Sequence, residues 1–224
     1  VLAAAFRGDL TRDWRTQHPD VEPAEQLLER LRDERRQRWE QAELEKFEAK
    51  GKAPPKDWKQ KYKAPQPLTE AQLNELPELP EGWCWAKLSE CGELARGKSK
   101  HRPRNDPRLY GNEYPFIQTG QVANANGFIT EAKQFYSEFG LKQSRLFPKG
   151  TLCITIAANI ADTALLGINA CFPDSVVGLV SDNDYLSIRF IEFYIRTVRN
   201  HLEMVAPATA QKNINLTILN EVAV

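Results

Sequence analysis

The apolar positions of this 224-residue chain change rhythm three times. Between Pro23 and Lys50 there is no Gly or Pro, and Glu, Arg, Gln, Leu and Ala dominate. Pro23, with Glu22 and Glu25 beside it, suits the start of a helix, because Pro fits a first turn and acids complement the helix dipole. The pattern predicts one long helix over 22–50, about 40 Å at 1.5 Å per residue. Its apolar residues, Leu28, Leu31, Trp39 and Ala42, are interrupted by Arg35, so the seam is too broken for a free-standing zipper. Two readings remain: a solvated, salt-bridge-laced helix resting on other parts of the chain, or a spacer packed against another long helix.

Gly51, Pro54 and Pro55 stop that helix, and Pro65, Pro67, Pro77 and Pro80 follow. This density predicts a linker over 51–80, with one helical turn at 69–76 that Thr69 could cap. From about residue 79 short apolar runs alternate with turn signals. Strands are predicted at 83–88, 115–118, 152–157 and 176–180, with a turn at 148–150 leading into the third. Ile191, Ile195, Val198, Leu202 and Val205 then recur at helical spacing, with Pro207 as the stop. Short strands followed by a helix give an α+β fold with a mixed or antiparallel sheet and a late amphipathic helix. The expected division is a helical segment over 1–50, a Pro-rich linker over 51–80 and a compact domain over 81–224.

Composition narrows the classes. The chain is 42% hydrophobic, enough for a core, and no apolar run approaches the roughly 20 residues of a membrane helix. Four Cys without CxxC spacing fit buried thiols better than a disulfide framework or a metal site. Thirty basic residues balance thirty acidic ones, which at first argues against a nucleic-acid ligand. The balance is uneven along the chain, however. Residues 64–81 hold four Glu and nothing basic, whereas 82–150 hold 11 basic against 6 acidic residues. A ligand responds to the local field rather than to the total.

No catalytic arrangement emerges. The chain lacks a G-x-S-x-G elbow, a phosphate-binding glycine loop, an H-E-x-x-H pair and an N/D-P-P-Y/F methyltransferase motif. Asp182 and Asp184 resemble the start of a calcium loop without its Gly or closing Glu, so a surface turn is expected there. Candidate chemistry lies instead in 96–108. Arg96, Lys98, Lys100, Arg102 and Arg104 alternate with small or polar residues, and His101 and Arg108 belong to the same set. In an extended segment the alternating cations would face one side, roughly 6–7 Å apart, and could follow a phosphate backbone. Gln118, Thr119, Gln121, Asn124 and Asn126 follow a predicted strand and suit base edges, since Gln and Asn can pair with adenine through two hydrogen bonds. Gln211, Lys212 and Asn213 form a further polar loop of the same kind. A solvated loop remains an open alternative for each of these stretches.

Taken in order, several segments resemble the specificity subunits of type I restriction-modification enzymes. Ala5-Phe6-Arg7-Gly8-Asp9-Leu10-Thr11 is similar to the family's segment near the end of a spacer helix. Leu79-Pro80-Glu81-Gly82-Trp83, with Trp85 and Leu88, resembles the start of a target recognition domain. Tyr114-Pro115-Phe116-Ile117-Gln118-Thr119-Gly120, the stretch 148–156 and Phe172-Pro173-Asp174-Ser175-Val176-Val177-Gly178 resemble its interior strands. The segment from Ala210 through Ile214 to Val224 resembles its close.

The resemblance implies half of such a subunit: the end of the central spacer and the second recognition domain, with a first domain before it and a final helix beyond Val224. It implies a non-catalytic protein without a cofactor of its own, which reads one half of a split site in double-stranded DNA in the cytoplasm. A modification subunit using S-adenosylmethionine and a restriction subunit would be its partners. Base-reading residues vary within the family, so none is carried over by motif. Two other classes stay open on the residues alone: a scaffold docking partners through 22–50, and a nuclease or methyltransferase fragment.

Overall fold

The computed structural model describes every residue except Ala158, Asp182 and 206–212. The chain divides between Glu90 and Cys91 into two compact units, Val1–Glu90 with Ala223, and Cys91–Val222 with Val224.

The first unit is helical. Two short helices, α1 (Leu2–Phe6) and α2 (Arg12–Gln17), precede α3 (Ala24–Glu48). At 25 residues α3 is about 37 Å long. It is laced with ion pairs: Arg30 and Arg38 with Glu34, Arg36 with Glu40, Lys46 with Glu43. Leu31 is its buried apolar residue, and α3 rests on later parts of the same unit. Gly51, at φ +62, ends it: the Lys52 amide donates to the Phe47 carbonyl and the Gly51 amide to the Glu48 carbonyl, a Schellman closure. The Pro-rich stretch after it holds α4 (Glu70–Asn74), where Thr69 and Gln72 satisfy each other's backbone amides as expected of a capping box.

Residues 83–88, predicted as a strand, are irregular. They make one bridge, Lys87 to Ala223, and end in a 3-10 turn at Leu88–Glu90. Their apolar character comes from half-buried aromatic rings rather than from a ladder: the Trp85 indole donates to the Pro77 carbonyl, and Arg15 lies over Trp83. Among the described residues no named strand pairs with this stretch; the Trp83 amide closes a turn onto the Pro80 carbonyl, and the Lys87 amide donates to the Glu90 carboxylate.

The second unit contains two sheets. Its strands are β1 (Glu93–Arg96), β2 (Tyr110–Phe116), β3 (Phe128–Ile129), β4 (Gln134–Tyr136), β5 (Leu146–Phe147), β6 (Leu152–Thr155), β7 (Thr163–Leu166), β8 (Ala170–Cys171) and β9 (Val176–Val180). They form a five-stranded sheet in the order β1-β9-β6-β7-β3 and a four-stranded sheet in the order β4-β2-β8-β5. Among the described residues β3–β7 and β2–β8 are parallel and the other pairs antiparallel, so the sheets are mixed. Helices α5 (Thr119–Ala123), α6 (Glu138–Lys142), α7 (Ile188–Val205) and α8 (Leu216–Asn220) complete the unit. The predicted strands at 115–118, 152–157 and 176–180 correspond to the end of β2, to β6 and to β9.

All four residues of β6 and of β7 are buried, as expected of strands with neighbours on both sides. The main core gathers Ile117, Phe147, Cys153, Leu166, Phe172 and Val176, with Phe147 and Phe172 stacked at 4.0 Å. A second cluster joins Leu109, Phe116, Tyr136 and Cys171. On α7, Ile191, Ile195 and Leu202 are buried as their spacing predicts; Pro207, its expected stop, lies outside the described residues. All four thiols are free, with Cys84 half-buried and the other three buried, and burial raises the pKa of Cys84, Cys153 and Cys171. Among the described residues no helix is long and apolar enough to cross a membrane.

Candidate nucleic-acid interface

The basic segment leaves the five-stranded sheet at Arg96, which pairs with Val177 of β9. At Gly97 the chain presses against the 172–173 backbone: a β-carbon there would lie 2.3 Å from the Pro173 carbonyl oxygen. The segment then runs without a bend or turn as far as Lys100 and bends from His101. The Lys98 carbonyl accepts from the Ser144 hydroxyl, the Lys100 amide donates to the Gln143 carbonyl, and the Arg102–Pro103 peptide is cis. A 3-10 turn at Pro107–Leu109, capped by Asp106, leads into β2. Exposure alternates over the first part of the segment as expected: Arg96, Lys98, Lys100 and Arg102 are exposed, while Gly97 is buried and Ser99 and His101 are half-buried. The row does not continue to Arg104 and Arg108, because the chain bends from residue 101 and turns at 107–109.

Two acids reduce the charge of this segment. The Arg104 guanidinium meets both carboxylate oxygens of Asp174 at 3.0 and 3.2 Å, and Arg96 donates to the Asp174 backbone carbonyl. Arg108 meets Asp106 at 2.7 Å and lies over the Phe139 ring. His101 shares Asp106, with its Nε2 2.7 Å from the carboxylate, and is itself largely enclosed, edge-on to Phe139. Hydrogen bonds from the Arg108 side chain and backbone, and then from His101, hold the Asp106 carboxyl far below its ordinary pKa, so it stays ionised. Asp106 in turn raises the pKa of Arg108.

The cations of the segment that face no carboxylate among the described residues are Arg96, Lys98, Lys100 and Arg102, all exposed. Arg102 donates to the Ser99 and His101 carbonyls, which orients the guanidinium and leaves its charge uncompensated. Arg96 is oriented in the same way, through its Nε on the Asp174 backbone carbonyl.

The second group of sequence candidates lies beyond the other end of β2. Gln118 precedes α5 and donates to the Gln134 side chain at 2.5 Å. Gln121 donates to the Glu131 carbonyl at 3.4 Å, and Asn124 to the Gly120 carbonyl at 2.7 Å. Thr119 is the first residue of α5, and Asn126 holds a positive φ of 47° in the turn before β3. Gln118, Gln121 and Asn124 line an open depression of about 690 Å³ together with Phe128, Lys133 and Gln134. Thr119 and Asn126 are not among its lining residues. Asn213 is exposed and bridges to Ala157, while Gln211 and Lys212 lie outside the described residues.

In chain order the basic segment leads into the start of β2, and the amide group follows its end.

Residues that the sequence reading passed over also shape the site. Asp106 and Asp174 set which cations are free. Phe128, 51% exposed, carries the Arg189 guanidinium 4.6 Å from its ring centre. Arg189 and Arg196 both pair with Glu192, which is fully buried on α7. The i, i+3 and i, i+4 spacing of this trio is a visible signal on a helix. Its proximity to the turn before β3, where both guanidinium groups approach Gly127, is not visible in the sequence. No group of three or more potential metal ligands occurs among the described residues.

Comparison with known proteins follows the same outline. A "Type I restriction enzyme MjaIX specificity subunit" from Methanocaldococcus jannaschii is 25% identical over 165 residues, covering 70% of this chain and 37% of that protein. The chain therefore spans little more than a third of that relative's length. Among solved structures, the HsdS subunit from Thermoanaerobacter tengcongensis has a similar fold, with a TM-score of 0.51 at 20% identity over 89% of this chain and 43% of the other. A chain from a study of complex assembly and conformational transition of the type I R-M system is similar to the same degree, with a TM-score of 0.53 at 20% identity over 89% of this chain and 44% of the other. Residues 80–224, well over half of the chain, match the type I restriction modification DNA specificity domain, and the chain belongs to that family.

Proposed function

We propose that the chain recognises one half of a bipartite site in double-stranded DNA and directs a separate adenine methyltransferase subunit, and a restriction subunit, to it. The match of residues 80–224 to a DNA specificity domain carries this reading. The four cations of the basic segment that face no carboxylate among the described residues support it. In this reading residues 81–224 act as the recognition domain and work in the cytoplasm. Lys98, Lys100 and Arg102 contact phosphates and set the register, and the amide side chains around the depression read base edges. The chain supplies binding and no reaction step, and S-adenosylmethionine belongs to the partner. A single half binds weakly, because an intact subunit gains effective concentration from linking two half-sites.

The test is selection from a randomised duplex pool with the full chain at 50 mM salt. A short enriched run of base pairs is expected. Gln118→Ala with Gln121→Ala should alter that run, whereas neutralising Lys98, Lys100 and Arg102 should weaken every duplex alike. An unenriched pool would rule out sequence recognition by this chain.

A further inference from the structure

The first unit carries a second concentration of positive charge, in residues not discussed above as DNA contacts. Past the end of α3, residues 50–63 contain Lys50, Lys52, Lys56, Lys59, Lys61 and Lys63 against a single acid, Asp57. All six lysines are exposed. Lys59 pairs with Glu40 of α3 at 2.6 Å, and the other five have no ion pair among the described residues.

This segment is nevertheless pinned down. Trp58, 8% exposed, stacks on Trp39 of α3 and meets Phe47 edge-on, while Tyr62 packs against Trp39 at a tilt, with ring centres 5.3 Å apart. The Schellman closure at Gly51 and the 3-10 turn at Trp58–Lys61 satisfy backbone groups on either side. Holding five unpaired like charges in one ordered stretch costs electrostatic free energy. A run serving solubility alone does equally well as a loose chain, so the aromatic staple points to a surface that something else neutralises.

We propose that residues 50–63 form a sequence-independent docking face for the phosphate backbone of duplex DNA, separate from the recognition domain. Lysine is a compact charge on a flexible stem, suited to phosphates without fixed geometry, whereas acidic protein surfaces are commonly gripped by Arg forks around an aromatic anchor. Here the aromatic rings are turned inward onto α3, and the exposed residues between the lysines are Gly51, Ala53, Pro54, Pro55, Asp57 and Gln60. The face itself is read from this unit alone. Choosing DNA as the polyanion rests on the function proposed above.

The experiment uses the full chain and two unrelated 30-bp duplexes, titrated by fluorescence anisotropy between 50 and 200 mM KCl. The variant Lys52→Gln, Lys56→Gln, Lys61→Gln, Lys63→Gln should lower the salt slope by between about 2 and 4 on both duplexes equally. At 50 mM its affinity should fall about tenfold or more. The matching Lys→Arg variant should restore both values. A slope within about 0.5 of the parent overturns the proposal, as does an Arg variant that fails like the Gln variant, since the loss would then be structural. Binding to polyglutamate that disappears in the Gln variant while duplex binding persists also overturns it, in favour of an acidic protein partner. If the lysine effect appears but selection enriches no sequence, the recognition reading fails and this face stands.

Discussion

Pairing with acids should decide which cations of the basic segment contribute to DNA affinity. Lys98, Lys100 and Arg102 face no carboxylate among the described residues, whereas Arg104 is held by Asp174. Changing the first three to Gln removes three uncompensated charges. Each phosphate contact contributes about 0.9 to the slope of log affinity against log salt, so the slope should fall by up to about 2.7. Across a fourfold rise in salt this is worth roughly a 40-fold change in the affinity ratio of parent to variant. The control removes a pair instead: Arg104→Gln with Asp174→Asn leaves the net charge unchanged and should shift the slope by less than about 0.3. Anisotropy titrations of one labelled duplex from 50 to 200 mM KCl give both numbers. If the Arg104–Asp174 double variant lowers the slope as much as the triple variant does, Arg104 contacts phosphate despite its partner and the reasoning fails.

Two further predictions concern one carboxylate within each unit. Glu90 is 1% exposed, accepts from Arg32 at 2.6 and 2.9 Å through one oxygen and from the Lys87 amide through the other. Glu90→Ala should cost about 3 kcal/mol in urea unfolding and Glu90→Gln, which keeps one acceptor, clearly less; a loss below about 1 kcal/mol for the alanine variant would mean that the clamp is not stabilising. The folded pKa of Asp106 is depressed below 3.8, so its stabilisation is full above that value and is lost as pH falls toward the folded value. Asp106→Asn should therefore flatten the acid limb of thermal stability below about pH 4, and an unchanged limb would contradict the role given to Arg108 and His101.

Much of the architecture is written locally. The run from residue 24 to 48 lacks helix breakers and meets Gly51 where a left-handed residue is needed, so α3 follows from neighbours within a few positions. The apolar runs of β6 and β9 and the spacing of Ile191, Ile195 and Leu202 likewise announce buried strands and a helix face. The order of the family's segments was legible for the same reason, and so was the excess of cations at 96–108. Residues 83–88 mark the limit: an apolar run becomes a strand only when another strand lies beside it, and only the folded chain supplies or withholds that neighbour.

The electrostatics of the site depended on the fold in the same way. Asp174 reaches Arg104 across 70 residues because β1 and β9 pair, and Gln134 reaches Gln118 because β2 and β4 pair. Glu192 draws Arg189 and Arg196 toward the turn before β3 only because α7 packs there. Charge counts along a sequence register how many cations a segment holds. Which of them remain uncompensated is decided by Coulomb partners at 3 Å, and those partners are brought together by sheet register rather than by sequence proximity.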